Sequence, residues 1–211
     1  MAIDLGYDTD SLAGPPDKRA LDKLTARRYA LDRAYLDHVR HHHGGIPGKA
    51  YFTTPANEVL RVGRFLTLFD SKSDLPPPHR PSWISAGRDV RLDYSAWTLM
   101  DQEGNSCRHL FGGFELLPFA ALYHGPHHPD EMDLTDGYVD LLCFFYRDDA
   151  TKEGKKRPRV VRWDAHLAGE EYWRWDEAMR DDDEEPVRYE SFTEPIAANF
   201  DRFLSMLRDA P

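Results

Sequence analysis

The stretch YVDLLCFFYR, residues 138–147, is apolar almost throughout. Such a run without alternation predicts a strand buried on both faces, and therefore one central in a sheet. The charged run DDATKEGKKRP after it reads as a turn, and RVVRWD, residues 159–164, reads as its partner strand, which together predict a hairpin. A central strand obliges the chain to supply neighbours on either side. AYFTT is a short β-rich segment, and VLRVGRFLTLF carries alternating apolar positions from Val62, Phe65 and Leu66 onward. One or two further short strands are expected around Trp83 and Trp97. GGFELLPFAAL predicts a strand through Phe114, Leu116 and Leu117 that Pro118 ends.

Helices are expected at both ends. Residues 1–14 are polar and are expected to form a loose arm, so the folded domain is placed at 15–211. After it Leu21, Leu24, Leu31, Tyr35 and Val39 recur at spacings of three, four or seven, which makes one apolar stripe on a single long helix or on two with a bend. Pro16 suits the first turn, Asp17 suits the positive end of the helix dipole, and Gly44 and Gly45 suit its stop. A short helix carrying Trp175 and Met179 is expected within AHLAGEEYWRWDEAMRDDDEEP, residues 165–186. SFTEPIAANFDRFLSMLRD reads as a closing amphipathic helix with Thr193 as N-cap, Pro195 in the first turn, and Ile196, Phe200, Phe203, Leu204 and Leu207 buried. With 41% hydrophobic residues there is ample material for a core, and the order of elements predicts a single α+β domain with a mostly antiparallel sheet and helices packed against it.

Charge narrows the partners. The 37 acidic and 27 basic side chains leave a formal net charge of −10, which argues against nucleic acid or anionic membrane as a partner and favours a cationic protein. The two cysteines, Cys107 and Cys143, show no disulfide or zinc spacing, and the N-terminus shows no secretory pattern. A cytoplasmic protein is the natural expectation; oligomeric state is left open by the sequence.

Histidine-rich stretches raise the question of catalysis. In HVRHHHGG the consecutive His41, His42 and His43 point about 100° apart on a helix and cannot converge on one metal. His38 and His42 share a face, but the glutamate of an H-E-x-x-H site is missing. HGPHHPDEMD sets His124, His127 and His128 near three carboxylates, a donor set that suits zinc or manganese, although the spacing matches no familiar site. A metal-dependent hydrolase is therefore carried as the alternative, testable at His127 and His128, while no metal and no cofactor is assigned. Asp164 and His166 lack a G-x-S-x-G serine, and no glycine-rich phosphate loop is present. No catalytic residue is assigned.

Four pieces in order resemble the SUKH superfamily, the Smi/Knr-like proteins. LDRAYLDHVRHHHGGIP resembles the family's opening helix and its Asn-Gly-Gly turn, with His43 in place of the asparagine before Gly44, Gly45, Ile46 and Pro47. Leu117, Pro118, Phe119 and Ala120 resemble its Pro-Phe-Ala strand. Gly137 and Asp140, with Val161, Trp163 and Asp164, resemble its central hairpin, and Ile196 to the run around Leu204 resembles its closing helix. The resemblance implies a binding module without a catalytic set, in many members an immunity protein that neutralises a toxin from neighbouring cells. Other members are regulatory scaffolds, which remains a further alternative.

On this reading the partner is a cognate toxin with a basic surface. The acidic run Asp181, Asp182, Asp183, Glu184 and Glu185 and the loop residues Asp130, Glu131 and Asp133 are candidates to meet it, since complementary charge speeds encounter and sharpens specificity. A solvated loop is the plain alternative for both. Tyr172, Trp173 and Trp175 sit among charges and are candidate aromatic anchors, against the alternative that they belong to the core.

Overall fold

A computed structural model describes residues 4–26, 30–69, 115–123, 139–147, 149–180 and 188–211. Helices α1 (Lys18–Ala26) and α2 (Arg33–His42) precede strands β1 (Tyr51–Thr53), β2 (Val59–Phe65), β3 (Leu116–Tyr123) and β4 (Leu141–Phe145). A short helix α3 (Asp149–Lys152), strand β5 (Arg159–Trp163), helix α4 (Ala165–Arg180), strand β6 (Thr193–Ala197) and helix α5 (Phe200–Leu204) complete the described chain. The six strands form one antiparallel sheet in sequence order, each beside the next. The fold is a single α+β domain, as the order of apolar patterns predicts.

The expected central strand is β4, whose Leu141, Leu142, Cys143 and Phe144 are all buried. Its partner is β5, with Phe144 opposite Val160 and Cys143 opposite Val161. The connection between them is more than a charged turn, because α3 forms within it.

The N-terminal stripe belongs to two helices. Asp17 caps the first, its carboxylate accepting from the Arg19 and Ala20 amides at 3.2 and 3.3 Å. Asp32 caps the second by accepting from Ala34 and Tyr35 at 2.9 and 3.4 Å. The fully buried Asp32 carboxylate also takes a fork from Arg157, with Nε and Nη2 at 2.6 and 2.9 Å, while Nη1 of the same arginine reaches Asp201 at 2.7 Å. One guanidinium thus joins the start of α2, the approach to β5 and helix α5. Those bonds raise the Arg157 pKa, the Asp32 hydrogen bond contributing most.

Helix α2 stops where the glycines predict. Gly44 holds a φ of +70°, in the left-handed region. Gly48 is fixed by crowding instead, since a Cβ there would lie 2.5 Å from the Gly6 carbonyl oxygen. That contact also corrects the loose-arm expectation. Residues 4–14 are docked, with Leu5 1% exposed and backbone hydrogen bonds to residues 43–49. The segment is polar in composition, but its few apolar side chains and its amides find partners on the domain.

Two further expectations are overturned. Pro118 does not end its strand; β3 runs through it to Tyr123. A bulge between Pro118 and Ala120 shifts the register, and the Phe119 carbonyl accepts from Leu66 at 2.8 Å, so the ladder survives a residue with no N–H. Thr193 and Pro195 do not open a helix either. They lie in β6, opposite Trp163 and Val161, and the helix begins at Phe200 with Asn199 as its cap, accepting from Arg202 at 3.0 Å. Proline is tolerated there because β6 is an edge strand of the described sheet. The five residues expected to be buried are buried, but Ile196 packs from a strand and Leu207 from the turn after α5.

An aromatic core sits between the sheet and the pair α2 and α5. Phe119 is at its centre, with ring centroids 4.5 Å from Phe144, 5.4 Å from Phe200, 5.8 Å from Phe203 and 6.0 Å from Tyr35. The hydroxyl of fully buried Tyr35 has no hydrogen-bond partner among the described residues. Tyr35→Phe is expected to stabilise the protein by about 1 kcal/mol, because it deletes an unpaid desolvation cost and keeps the ring. Urea unfolding measures this directly, and a comparable loss instead would show the hydroxyl to be hydrogen-bonded to water.

Candidate functional site

At one end of the sheet a single guanidinium gathers four carboxylates. Arg162 on β5 donates to Asp140, just ahead of β4, through Nε at 2.8 Å and Nη2 at 2.7 Å. Its Nη1 reaches Glu58, ahead of β2, at 2.6 Å and Glu194 on β6 at 3.7 Å, and Asp164 stands 3.9 Å from Nη2. Register and alternation put Arg162 on the same face as Leu142 and Phe144, at the margin of the core. Burial works against its charge, but the hydrogen bonds and charges of Asp140 and Glu58 outweigh it and leave its pKa raised.

Each carboxylate arrives by a different local rule. Asp140 is buried because its second oxygen accepts from the Ala165 amide at 2.9 Å, opening α4, and Asp164 accepts from Leu167 at 2.9 Å in the same turn. Glu58 ends the β1–β2 turn, and Glu194 pairs opposite Arg162 across the ladder. One positive charge against four negative ones leaves an excess of three at neutral pH. Glu58 has about half of its side chain exposed, and Asp164 and Glu194 are partly exposed, so the excess faces solvent as an acidic rim held in place by a partly buried arginine. Such a rim attracts a basic surface and fixes its approach.

The histidine cluster resolves as structure. His38 is buried against Phe65 and Phe200, and its Nε2 lies 3.0 Å from the Tyr7 hydroxyl. His42 stacks on Tyr7 at 4.2 Å. His43 turns the other way: its Nδ1 is 2.8 Å from the Gly14 carbonyl, and its Nε2 accepts from the Leu68 amide at 2.6 Å. That pair of partners requires the neutral ring with the proton on Nδ1. Among the described residues no group of three or more His, Cys, Asp or Glu is placed to hold a metal ion. The loop histidines His124, His127 and His128 lie outside the described residues.

The sequence-predicted contact residues fare as follows. Tyr172, Trp173 and Trp175 are on α4, which is a helix of 16 residues and so longer than expected; their side chains lie outside the described part. Asp130, Glu131 and Asp133, and Asp181, Asp182, Asp183, Glu184 and Glu185, are outside the described residues altogether. Glu58, Asp140, Arg162 and Glu194 were not among the candidates. The signal for them was a charged residue at an inward-facing position of an apolar strand, RVVRW, which needs a partner wherever it is buried.

Among the described residues no helix is long and apolar enough to cross a membrane. The class that the fold defines is a single-domain α+β protein built on a six-stranded antiparallel meander with an acidic sheet end. No protein family, curated protein or solved structure matches this chain.

Proposed function

We propose that this protein is an immunity protein of the SUKH type, which binds a cognate toxin with a basic surface and blocks its active site. The observation that carries the reading is the acidic rim around Arg162, set in a chain of net charge −10. The four sequence pieces that resemble the family support it further. They fall on α2 and the turn after it, on β3, on the β4–β5 hairpin and on the β6–α5 segment, in that order.

Binding is stoichiometric and non-catalytic on this reading, takes place in the cytoplasm, and needs no metal or cofactor. On this reading Asp130, Glu131 and Asp133, the run 181–185, and Tyr172, Trp173 and Trp175 are candidate contact residues by their charge and aromatic character alone. The test is titration calorimetry against the product encoded immediately beside this protein, at two salt concentrations. One-to-one nanomolar binding is expected, with affinity that falls by about tenfold or more between low and physiological salt and with loss of that product's toxicity. Absence of binding would remove the immunity reading.

A further inference from the structure

Residues 4–14 are held to the domain by backbone bonds and by contacts with three histidine rings. Gly48 and Lys49 donate to the Gly6 and Leu5 carbonyls at 3.1 and 2.9 Å, and Asp8 donates to the Ile46 carbonyl at 3.2 Å. The Ser11 hydroxyl accepts from the Ile46 amide at 2.8 Å. At the far end the Ala13 amide donates to the His43 carbonyl at 2.8 Å, and the His43 ring donates to the Gly14 carbonyl. Tyr7 in the middle of the segment covers both His38 and His42.

Protonation would disturb the pocket that these rings build with the segment, although the Nδ1–H bond from His43 to Gly14 would persist. A second proton on His43 would occupy Nε2, which now accepts from the Leu68 amide, and would set two N–H groups against each other in a buried site. A charge on His38 would be trapped between Phe65 and Phe200. We propose that residues 4–14 form an acid-released strap, which undocks from α2 and the 43–49 loop when His43, His38 and His42 are protonated, while the sheet stays folded.

The groups that face these rings agree with this. Burial lowers the His43 pKa to about 4, with only the Gly14 bond opposing. Burial lowers that of His38 to about 3, with the charges of His42 and His41 adding to it. His42 is lowered by burial and by His41, with Asp4 on the strap opposing. Phe65 and Phe69 on the β2 side and Phe200 on α5 bring no charge. The docked form therefore binds fewer protons than the released one. Docking is strongest above about pH 6.5 and weakens as pH falls toward the docked values.

Hydrogen exchange on the full chain, followed by mass spectrometry and corrected for intrinsic rates, reads this directly at about pH 7 and about pH 4.5. Peptides from residues 4–14 and 43–49 are expected to lose at least a hundredfold in protection at acid pH while β3, β4 and β5 keep theirs. Unchanged protection of the strap would overturn the proposal, and so would loss of strap and sheet together. His43→Gln, which cannot titrate, is expected to cut the acid response by about tenfold or more. Tyr7→Phe keeps the ring on His42 but loses the bond to His38, and is expected to lower strap protection at neutral pH, with a further loss at acid pH. An undiminished acid response in His43→Gln would remove His43 from the mechanism.

Discussion

Replacing Arg162 with methionine is expected to destabilise the protein by about 3 kcal/mol at neutral pH, the cost of leaving buried or half-buried carboxylates without their counter-charge. Methionine fills much of the same volume, so packing loss is a small part of the effect. What remains is Asp140, largely buried, with Glu58, Asp164 and Glu194 within 4 Å of the vacated guanidinium. Mutual repulsion then dominates. The penalty is expected to shrink as pH is lowered into the carboxylate range, about 4, because protonation relieves it. Urea unfolding at neutral and acid pH checks both parts. A penalty independent of pH would mean that Arg162 acts through packing alone.

The same variant bears on binding. Without its arginine the rim gains negative charge but loses the fork that orients Asp140. Association with a basic partner is then expected to keep or raise its on-rate and to lose residence time, since steering follows charge and dissociation follows geometry.

Phe119→Ala is expected to cost about 4 kcal/mol, the upper part of the range for a buried aromatic. Phe119 is fully buried, and its ring meets Tyr35 from α2, Phe65 and Phe144 from neighbouring strands, and Phe200 and Phe203 from α5. Rings from four elements around one site cannot all collapse into the space, so most of the cavity persists. The residue also sits in the bulge that carries β3 past Pro118. Equilibrium unfolding measures the loss, and a cost below about 2 kcal/mol would show that the helices settle onto the sheet when the ring is removed.

Much of the architecture was legible from short-range pattern. The unbroken apolar run of β4 announced a strand with neighbours on both sides, and the charged interval after it announced the return of β5. The spacing of Tyr35 and Val39 announced a buried helical face, and Gly44 announced its end, because both rest on the geometry of a single element. The candidate site was less legible. Its residues come from four places far apart in the chain, and each looks alone like an ordinary surface charge.

Where pattern misled, a neighbour decided. Ile196, Phe200, Phe203, Leu204 and Leu207 fit one helical stripe, and all are buried, yet pairing with β5 draws Thr193, Glu194 and Pro195 into an edge strand first. Pro118 reads locally as a terminator, but a bulge on the far side of it lets β3 continue between two partners. The polar composition of residues 4–14 reads as a free arm, and it was the 43–49 loop, with its open amides and the ring of His43, that gave it a place. The sequence by itself determined the α+β class, most of the apolar faces and the acidic balance, since these follow from period, propensity and charge. Only the tertiary structure decided which backbone hydrogen bonds each ambiguous segment would make, and which four carboxylates would share one arginine, because both depend on partners distant in the chain.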